Sequence, residues 1–198
     1  RNATVQRITV TDEDGERLKL TENRDGTYSF TMPSGTANVY VRFSGSGLPF
    51  ADVPSGSWYY DDVAYVYDTG LMTGLTATAF GPNLSTTRGM IVTILHRMEG
   101  KPAASGQTFS DVKSGQYYAK AVAWAVENGI TAGTSADKFS PDATCTRAHA
   151  VTFLFRLAKG SATGAPGFLD VAADAYYAQP VKWAVDNGIT SGIGNGLF

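Results

Sequence analysis

Residues 109–139 read FSDVKSGQYYAKAVAWAVENGITAGTSADKF, and this stretch occurs in three aligned copies along the chain. The opening Phe109–Val112 matches Phe50–Val53 and Phe168–Val171, and each copy begins 59 residues after the one before it. The first and second copies share 19 identities in 51 ungapped positions, and the second and third share 16 in 31. A fixed period of this length indicates a repeat protein in which each copy is one supersecondary unit.

Each copy predicts a helix, a loop and a second helix. In the second copy the first helix is expected over residues 117–128, and Gly129 follows it as a left-handed cap, like Gly70 and Gly188. Offsets of three, four and four residues separate the members of its apolar stripe, which is the spacing of one helical face. The members of this stripe are Ala119, Val122, Val126 and Ile130.

The second helix of each copy is expected to start near a Thr-Arg pair, at Thr146 in the second copy. Its predicted apolar face is Ala150, Phe153, Leu154 and Leu157 in that copy, and Ile91, Ile94, Leu95 and Met98 in the first. One pair of such helices does not bury both stripes, so the copies are expected to stack on one another.

The first 48 residues read as strands and turns. Period-2 alternation predicts four strands, over residues 5–11, 18–20, 27–32 and 37–43. The turns between them are expected at Asp14-Gly15, Asp25-Gly26 and Pro33-Ser34-Gly35, and residues 44–47 read as a flexible linker.

The predicted fold class is therefore α+β, with an N-terminal four-strand β meander followed by helix-loop-helix repeats. The expected divisions of the chain are residues 1–48 for a partial β-rich stalk or repeat domain and its linker, 49–108 and 109–167 for the first two copies, and 168–198 for the first half of the third copy.

Composition limits the classes of ligand and partner that the chain is expected to bind. The 198 residues carry 16 basic and 18 acidic side chains that are well mixed, so no basic stripe favours nucleic acid. No apolar run approaches the ~18 residues that a membrane-spanning helix needs. A single cysteine, Cys145, and two histidines argue against a CxxC or histidine-rich metal site. We expect no cofactor, no metal, no nucleic acid and no membrane insertion.

The chain also lacks the residue patterns of catalysis. Its carboxylates recur at repeat-equivalent positions and do not gather into an acid–base pair. No Ser/His/Asp set and no P-loop appears. We therefore expect a non-catalytic chain.

The combined repeat pattern resembles the S-layer homology module. It runs Phe-x-Asp-Val, an aromatic-Tyr pair, Trp-Ala-Val-x-Asn-Gly-Ile-x-x-Gly, Phe-x-Pro and Thr-Arg, and it covers residues 50–198. The resemblance implies a helical bundle with a pseudo-threefold axis. It also implies that grooves between copies bind secondary cell-wall polysaccharide, often through an anionic, pyruvylated sugar. The chain would then be an extracellular wall anchor of a Gram-positive surface protein.

The Thr-Arg pairs carry the clearest binding prediction. The family motif Thr-Arg-Ala-Glu reads Thr87-Arg88-Gly89-Met90 in the first copy and Thr146-Arg147-Ala148-His149 in the second. We expect both copies to keep the Thr cap and to lose the reciprocal hydrogen bond that Glu makes in a capping box. The resemblance implies that Arg88 and Arg147 bind an anionic ligand; the alternative is that each completes a cap or pairs with a nearby acid.

Three further sets of repeat-equivalent residues are ligand candidates, each with a structural alternative. The acidic set would bond sugar hydroxyls or else form helix N-caps and Asx-turns: Asp52, Asp111 and Asp170. The aromatic set would cover sugar faces or else pack between helices: Trp58, Tyr117 and Tyr176. The glycine set would let backbone approach a ligand or else supply a positive φ: Gly74, Gly133 and Gly192.

Neighbouring residues have plainer expectations. One member of each aromatic pair is expected in the core, as are Tyr65, Trp124 and Trp183, and Cys145 is expected to be half-buried. The third copy stops at Phe198, before a second helix, so it is read as truncated. We expect this to expose an apolar stripe that a partner chain would cover, namely Val181, Val185 and Ile189.

The leading hypothesis is non-covalent anchoring to the wall through secondary cell-wall polysaccharide. A second hypothesis is a structural protein that assembles with other copies of itself into a lattice or filament. A third is a fragment of an enzyme whose catalytic domain lies outside these residues. No activity of this chain alone is expected on any of the three.

Overall fold

The structure is a computed structural model that describes residues 5–12, 18–43, 47–106 and 109–198. Its helices confirm the helix-loop-helix reading of the first two copies, and the third copy contains one helix, as expected for its first half. They are α1 (Tyr60–Asp68), α2 (Arg88–Met98), α3 (Ala119–Glu127), α4 (Arg147–Leu157) and α5 (Ala178–Asp186). Gly70, Gly129 and Gly188 follow the first helices with φ of +71°, +69° and +68°, as the left-handed caps require.

The β segment differs from the predicted meander. Its strands are β1 (Val5–Thr11), β2 (Thr21–Glu22), β3 (Tyr28–Ser29) and β4 (Asn38–Phe43). β1 pairs antiparallel with β4, β2 pairs antiparallel with β3, and the two pairs form separate sheets. The meander prediction was wrong because β1 and β4, the two long alternating segments, pair with each other, whereas residues 18–20 form no strand.

One predicted turn is present in detail. Gly26 has a φ of +81°, and the Asn23 amide donates to the Thr27 carbonyl at 2.8 Å across the Asp25-Gly26 turn between β2 and β3. Residues 34 and 35 form the bend predicted at Pro33-Ser34-Gly35. The predicted Asp14-Gly15 turn and residues 44–46 of the linker lie outside the described residues.

The copies stack through unlike helices. The second helix of one copy packs on the first helix of the next, so that α2 contacts α3 and α4 contacts α5, while α2 and α4 also meet. This pairing buries Val92, Val122 and Ala125 completely. The copies therefore bury their apolar stripes against one another, as the sequence predicted.

The same pairing overturns the expected exposed stripe of the third copy. Val181 is 0% exposed because α4 covers α5, and Val151 belongs to the same buried cluster. Val185 is half-buried, and of the three residues only Ile189 is exposed. Each copy begins with one helix, and among the described elements α1 is the one of these that packs on no other helix. Its Tyr65 instead contacts Tyr40 of β4 edge to face, with ring centres 6.1 Å apart.

The second helices bury a face that differs from the predicted one by some of its residues. Met98 is 52% exposed, whereas Thr93 and Thr152 are buried. Each buried hydroxyl donates at 2.7 Å to the carbonyl four residues earlier, Gly89 or Ala148. Because the helix satisfies these hydroxyls itself, threonine sits in the interior without an unpaired polar atom.

Candidate functional site

The first junction is the contact between copies one and two at the start of α2. The Arg88 side chain donates from Nε to the Phe139 carbonyl at 2.9 Å. Its guanidinium carbon lies 4.8 Å from the ring centre of Phe139 and 5.3 Å from that of Phe153. The Arg88 residue is 3% exposed. The Thr-Arg arginine of the first copy therefore holds two copies together from inside the interface.

The second junction repeats this geometry between copies two and three. Arg147 donates from Nε to the Phe198 carbonyl at 2.7 Å, and its guanidinium carbon lies 4.8 Å from the Phe198 ring centre. Its Nη2 donates to the Thr190 hydroxyl at 3.0 Å. Unlike Arg88, Arg147 is exposed. The second junction therefore presents its arginine to solvent at a helix N-terminus, where anions are favoured.

Arg88 carries a polar atom without a partner. Its Nη2 is buried and makes no hydrogen bond within the part of the chain that the structure describes. Burial lowers the pKa of Arg88 from its usual value, against opposing interactions with Cys145, Tyr176 and Asp111. Burial of a cation disfavours its charged form, so a negative group near Nη2 would relieve this junction.

The helix caps correct one prediction. Thr87 accepts from the Met90 amide at 3.3 Å, and Thr146 accepts from the His149 amide at 3.2 Å. The Thr146 amide in turn donates to His149 Nδ1 at 3.4 Å, which completes a capping box. The reciprocal bond is thus restored in α4, because the imidazole nitrogen reaches the place of the Glu carboxylate. For α2 the side chain at that place is the thioether of Met90, and no reciprocal bond is found.

His149 also faces the third copy. Its ring stacks on Tyr176 with ring centres 6.3 Å apart and planes 28° apart. Burial, and then the positive charge of Arg88, lower the pKa of His149 below 6.5. Neutral histidine is therefore favoured in the fold, which is the form whose Nδ1 can accept from Thr146.

We predict that stability falls in mildly acidic solution through His149. Since the folded pKa lies below the unfolded value of about 6.5, the contribution is fully present above pH 6.5 and is lost as pH falls through the folded pKa. His149→Gln keeps a side-chain acceptor without titrating, so its melting temperature should change less between pH 7.5 and about pH 5 than that of the wild type. Equal pH dependence in the two proteins, measured by thermal denaturation, would contradict this role.

In each aromatic pair one side chain is exposed and the other faces the interior. Tyr118 is 6% exposed, while its neighbour Tyr117 is 58% exposed. Tyr177 and Tyr59 likewise turn toward buried clusters, while Tyr176 is 59% exposed. The rings of each pair meet edge to face at 4.9 to 5.4 Å. The expectation that one member of each pair lies inside is confirmed, and the outer rings show a face to solvent at each copy.

The three aspartates have a different structural role from the alternatives considered. The carboxylates of the first two copies accept backbone hydrogen bonds from the Phe-x-Pro turn of their own copy, and that of the third copy accepts from Phe198. The donors lie 28 or 29 residues away. Asp111 accepts from the Phe139 and Ser140 amides at 3.0 and 2.8 Å. Asp52 bonds Phe80 and Gly81 in the same way, and Asp170 bonds Phe198. The carboxylates therefore tie loop to loop, and in none of the helices do they serve as the N-cap.

We predict that the ionised aspartates of this set make the fold less stable in acid. Burial opposes ionisation of Asp111, but the hydrogen bonds from Phe139 and Ser140 and the charge of Lys138 outweigh it, so its pKa is lowered. The amides of Phe80 and Gly81 lower the pKa of Asp52 as well. Their contribution is present above about pH 3.8 and is lost as pH falls through the lowered folded pKa values. In acid titrations followed by circular dichroism, the Asp52→Asn/Asp111→Asn variant should show a shallower decline than wild type. A decline of the same slope would assign the acid sensitivity to other carboxylates.

The glycine set packs against phenylalanine. A Cβ at Gly133 would lie 2.5 Å from Phe109 Cε1 and 2.5 Å from the Lys138 carbonyl oxygen, and φ there is +86°. Gly74 and Gly192 have the same surroundings at Phe50 and Phe168. The structure thus gives these glycines a close approach to the opening phenylalanine of their own copy.

A groove of the first copy brings two of the ligand candidates, Gly74 and Tyr117, together with residues that the sequence reading missed. The first-copy groove has a volume of about 530 Å³ and lies between the loop of residues 71–75 and α2. Thr86, Phe80, Met90, Ile94 and Tyr117 are among the residues that line it. Thr190, which bonds Arg147, was also missed, because only the packing of copy two on copy three brings it there.

The described residues contain no cluster of three or more His, Cys, Asp or Glu side chains suited to a metal ion. None of their helices is both long enough and apolar enough to cross a membrane. Cys145 is half-buried, as expected, and burial raises the pKa of its thiol.

Comparison with known protein families identifies the repeated unit. The family model described as S-layer homology domain matches residues 49–89, 108–151 and 167–198, which is more than half of the chain. Each matched segment begins one residue before the opening phenylalanine of a copy, and the third segment is the shortest.

Several curated proteins are similar to this chain. An endoglucanase of Bacillus sp. (strain KSM-635) is 33% identical over 120 residues, or 60% of this chain and 12% of that protein. An S-layer protein of Bacillus thuringiensis subsp. finitimus is 31% identical over 173 residues, or 84% of this chain and 21% of that protein. An S-layer protein of Bacillus licheniformis is 28% identical over 131 residues, or 65% and 14%. The chain therefore spans about a fifth or less of these relatives.

Proposed function

Because the chain belongs to the S-layer homology domain family, we propose that it holds a surface protein on the bacterial cell wall by binding secondary cell-wall polysaccharide through an anionic sugar. The observation that carries this proposal is the second junction. There an exposed arginine, Arg147, lies at the N-terminus of α4, and the exposed ring of Tyr176 stacks on His149 in the first turn of the same helix.

Cell-surface attachment itself follows from the family and from the S-layer and cell-surface relatives. The chain is an extracellular module of the cell wall or S-layer. The pseudo-threefold bundle and the divisions at residues 48, 108 and 167 remain part of the proposal, supported by the 59-residue period and by the repeated junction geometry.

The chemistry of the second junction suits an anionic sugar. A guanidinium group offers donors in a planar fork that matches a carboxylate, and the N-terminus of α4 adds a favourable dipole. The faces of exposed aromatic rings, whose edges carry a polar group, suit the apolar faces of sugars. We propose Arg147 and Tyr176 as direct contacts, with Tyr117 and Trp58 as corresponding surfaces of the other copies.

We propose that the remaining candidates position the site without contacting most of the ligand. Arg88 is buried at the first junction, so we propose that it positions the two copies and meets ligand only through its unpartnered Nη2. We propose that the aspartate and glycine sets shape the loops on which the exposed residues stand. These sets are Asp52, Asp111 and Asp170, and Gly74, Gly133 and Gly192.

Calorimetric titration with purified wall polymer tests the direct contacts. Arg147→Ala and Tyr176→Ala should each weaken binding about tenfold, because each removes a charge-assisted or aromatic contact. Met32→Ala, an exposed substitution in the β segment, is the matched control and should bind like wild type. Polymer with its acidic substituents removed should bind weakly to all variants. Unchanged affinity of both junction variants would refute the proposed site.

Assembly into a surface layer is the second candidate function. Large apolar side chains are exposed on the third copy, with Leu169 at 86% and Ile193 at 66%, and such surface favours contacts between chains. We also propose that any catalytic activity of the whole protein lies outside these residues, as the matched 12% of the endoglucanase relative suggests. Light scattering over a range of concentrations tests assembly; a constant monomer mass with wall binding would favour anchoring alone.

A further inference from the structure

Side chains from all three copies meet beside the N-terminus of α4. They are Arg88 from the first copy, Cys145 and His149 from the second, and Tyr176 from the third. The His149 ring stacks on the Tyr176 ring, with centres 6.3 Å apart. The positive charge of Arg88 acts on the pKa of each of the other three. These four residues are named the three-copy cluster.

The three-copy cluster holds a positive charge without a matching anion. Arg88 is 3% exposed, and its Nη2 makes no hydrogen bond within the described residues. The carboxylate that acts on Arg88 is Asp111, which is already held by two backbone amides. Burial raises the pKa of Cys145 and of Tyr176, so both side chains are neutral near pH 7. An anionic ligand would supply the charge that the cluster lacks.

The helix cap fixes which nitrogen of His149 carries the proton. The Thr146 amide can only donate, so Nδ1 at 3.4 Å is the acceptor and the neutral ring carries its proton on Nε2. His149 is half-buried, and its Nε2 finds no hydrogen-bond acceptor in the described ranges. The Nε2–H group is therefore a donor that is available to a ligand.

The chemistry of position 149 differs from that of its counterparts. The family motif has Glu at this place, which would add a negative charge near Arg88, and the first copy has Met90, which does not titrate. Histidine is instead neutral or positive. A proton taken up by His149 adds a second positive charge to the three-copy cluster.

In the chain without ligand this protonation is unfavourable. Burial and the charge of Arg88 lower the pKa of His149, and a protonated Nδ1 no longer accepts from Thr146. An anion close to Arg88 and His149 offsets the repulsion between the two cations, so the pKa of His149 rises when the anion binds. By thermodynamic reciprocity, the anion then binds more tightly to the protonated chain.

We propose that His149 couples the binding of an anionic ligand at the three-copy cluster to the uptake of a proton, so that affinity for a carboxylate rises in mildly acidic solution. The class of ligand, an anionic sugar, rests on the proposed function. Affinity rises as pH falls from the raised pKa of the complex to the lowered pKa of the free chain. Over the same range the unliganded fold loses stability, and the ligand offsets that loss.

The groups around His149 agree with this sign. Those that face it are Arg88 of α2, Tyr176 of the third copy and Cys145 just before α4. Arg147 lies on the same helix but bonds a carbonyl of the third copy. No member of this set is a carboxylate, so a bound anion is what stabilises the imidazolium.

NMR titration of the two histidine Cε1–H signals, with and without saturating pyruvate, tests the coupling. Pyruvate stays ionised from about pH 8 to pH 5, and ionic strength is held constant. It should raise the pKa of His149 by about one unit, which corresponds to about tenfold tighter binding to the protonated form. His96, which bonds the Pro102 carbonyl at 2.8 Å, is the internal control and should not move. Pyruvamide, the neutral isostere, should move neither signal.

Two substitutions that keep a side-chain acceptor for the cap separate charge from folding. Wild type should bind pyruvate several-fold more tightly at about pH 5.5 than at pH 7.5, whereas His149→Gln should bind equally at both. His149→Glu should bind about tenfold more weakly than His149→Gln at pH 7.5, because its carboxylate pairs with Arg88 in place of the ligand. Circular dichroism checks folding of each variant at each pH.

A His149 pKa that pyruvate leaves unchanged, or that shifts no more than the pKa of His96, would overturn the proposal. So would a His149→Gln variant with the pH dependence of the wild type. Sedimentation with cell walls at pH 7.5 tests the proposed function separately. Wall binding without the pKa shift would refute the coupling alone, and the shift without wall binding would refute anchoring alone.

Discussion

Gly133→Ala is expected to destabilise the chain by about 3 to 5 kcal/mol. The added methyl group would lie 2.5 Å from both Phe109 Cε1 and the Lys138 carbonyl oxygen, and the backbone at φ +86° disfavours an L side chain. Phe109 belongs to the main buried cluster, so the clash is not relieved by moving an exposed side chain. Denaturant unfolding followed by circular dichroism measures this loss as a shift of the transition midpoint.

Gly129→Ala is the matched control for this prediction. Gly129 also has a positive φ, +69°, but a Cβ there would have no neighbour within 4 Å. It should therefore lose only the backbone preference, about 1 kcal/mol. Equal losses for the two substitutions would show that conformation alone, and not the contact with Phe109, explains why glycine occurs at the Gly133 position.

Arg88→Ala is expected to be the most damaging substitution of a Thr-Arg residue, at about 2 to 4 kcal/mol. It removes the bond to the Phe139 carbonyl and both ring contacts, and leaves that carbonyl without this donor in a buried interface. Arg147→Ala removes similar contacts from an exposed position and should lose about 1 kcal/mol or less. Thermal and denaturant unfolding of the two variants compares the junctions directly.

Arg88→Met separates the charge of Arg88 from its volume. Methionine keeps apolar contact with Phe139 and Phe153 and removes the buried Nη2 that lacks a partner. It should therefore recover part of the stability that Arg88→Ala loses. If Arg147→Ala instead proved as destabilising as Arg88→Ala, the asymmetry between the two junctions would be wrong.

This asymmetry changes how a binding experiment should be designed. A double substitution of both arginines would confound loss of ligand contact with loss of packing, because Arg88 is 3% exposed. Arg147→Ala alone leaves the first junction intact. It is the substitution whose effect on wall binding can be read as an effect on the site.

Periodicity was sufficient to predict the helices and the left-handed glycines that follow the first helix of each copy. The 59-residue repeat and the stripe of Ala119, Val122 and Ile130 fixed a helix that the structure has at Ala119–Glu127. Turn chemistry predicted Gly26 and Gly129 at positive φ. These features depend on residues close in sequence, which a repeated pattern records directly.

Features that depend on contacts between distant residues were not predictable in this way. The pairing of β1 with β4 and the burial of Val181 under α4 depend on which of several apolar faces meet. The capping bond of His149 was not predicted because the family motif has Glu at this position, and the sequence does not show that the imidazole reaches the same backbone amide. The loop-to-loop role of Asp111 joins residues 28 and 29 positions apart.

The most direct test of the central claim is sedimentation of the folded chain with isolated cell-wall sacculi, intact and stripped of secondary polymer, beside Arg147→Ala. The account predicts that wild type sediments with intact walls and stays in solution with stripped walls, and that the variant, folded by circular dichroism, stays in solution with both. Wild-type chain that remains folded yet ignores intact walls, or that binds stripped walls equally well, would contradict polysaccharide anchoring.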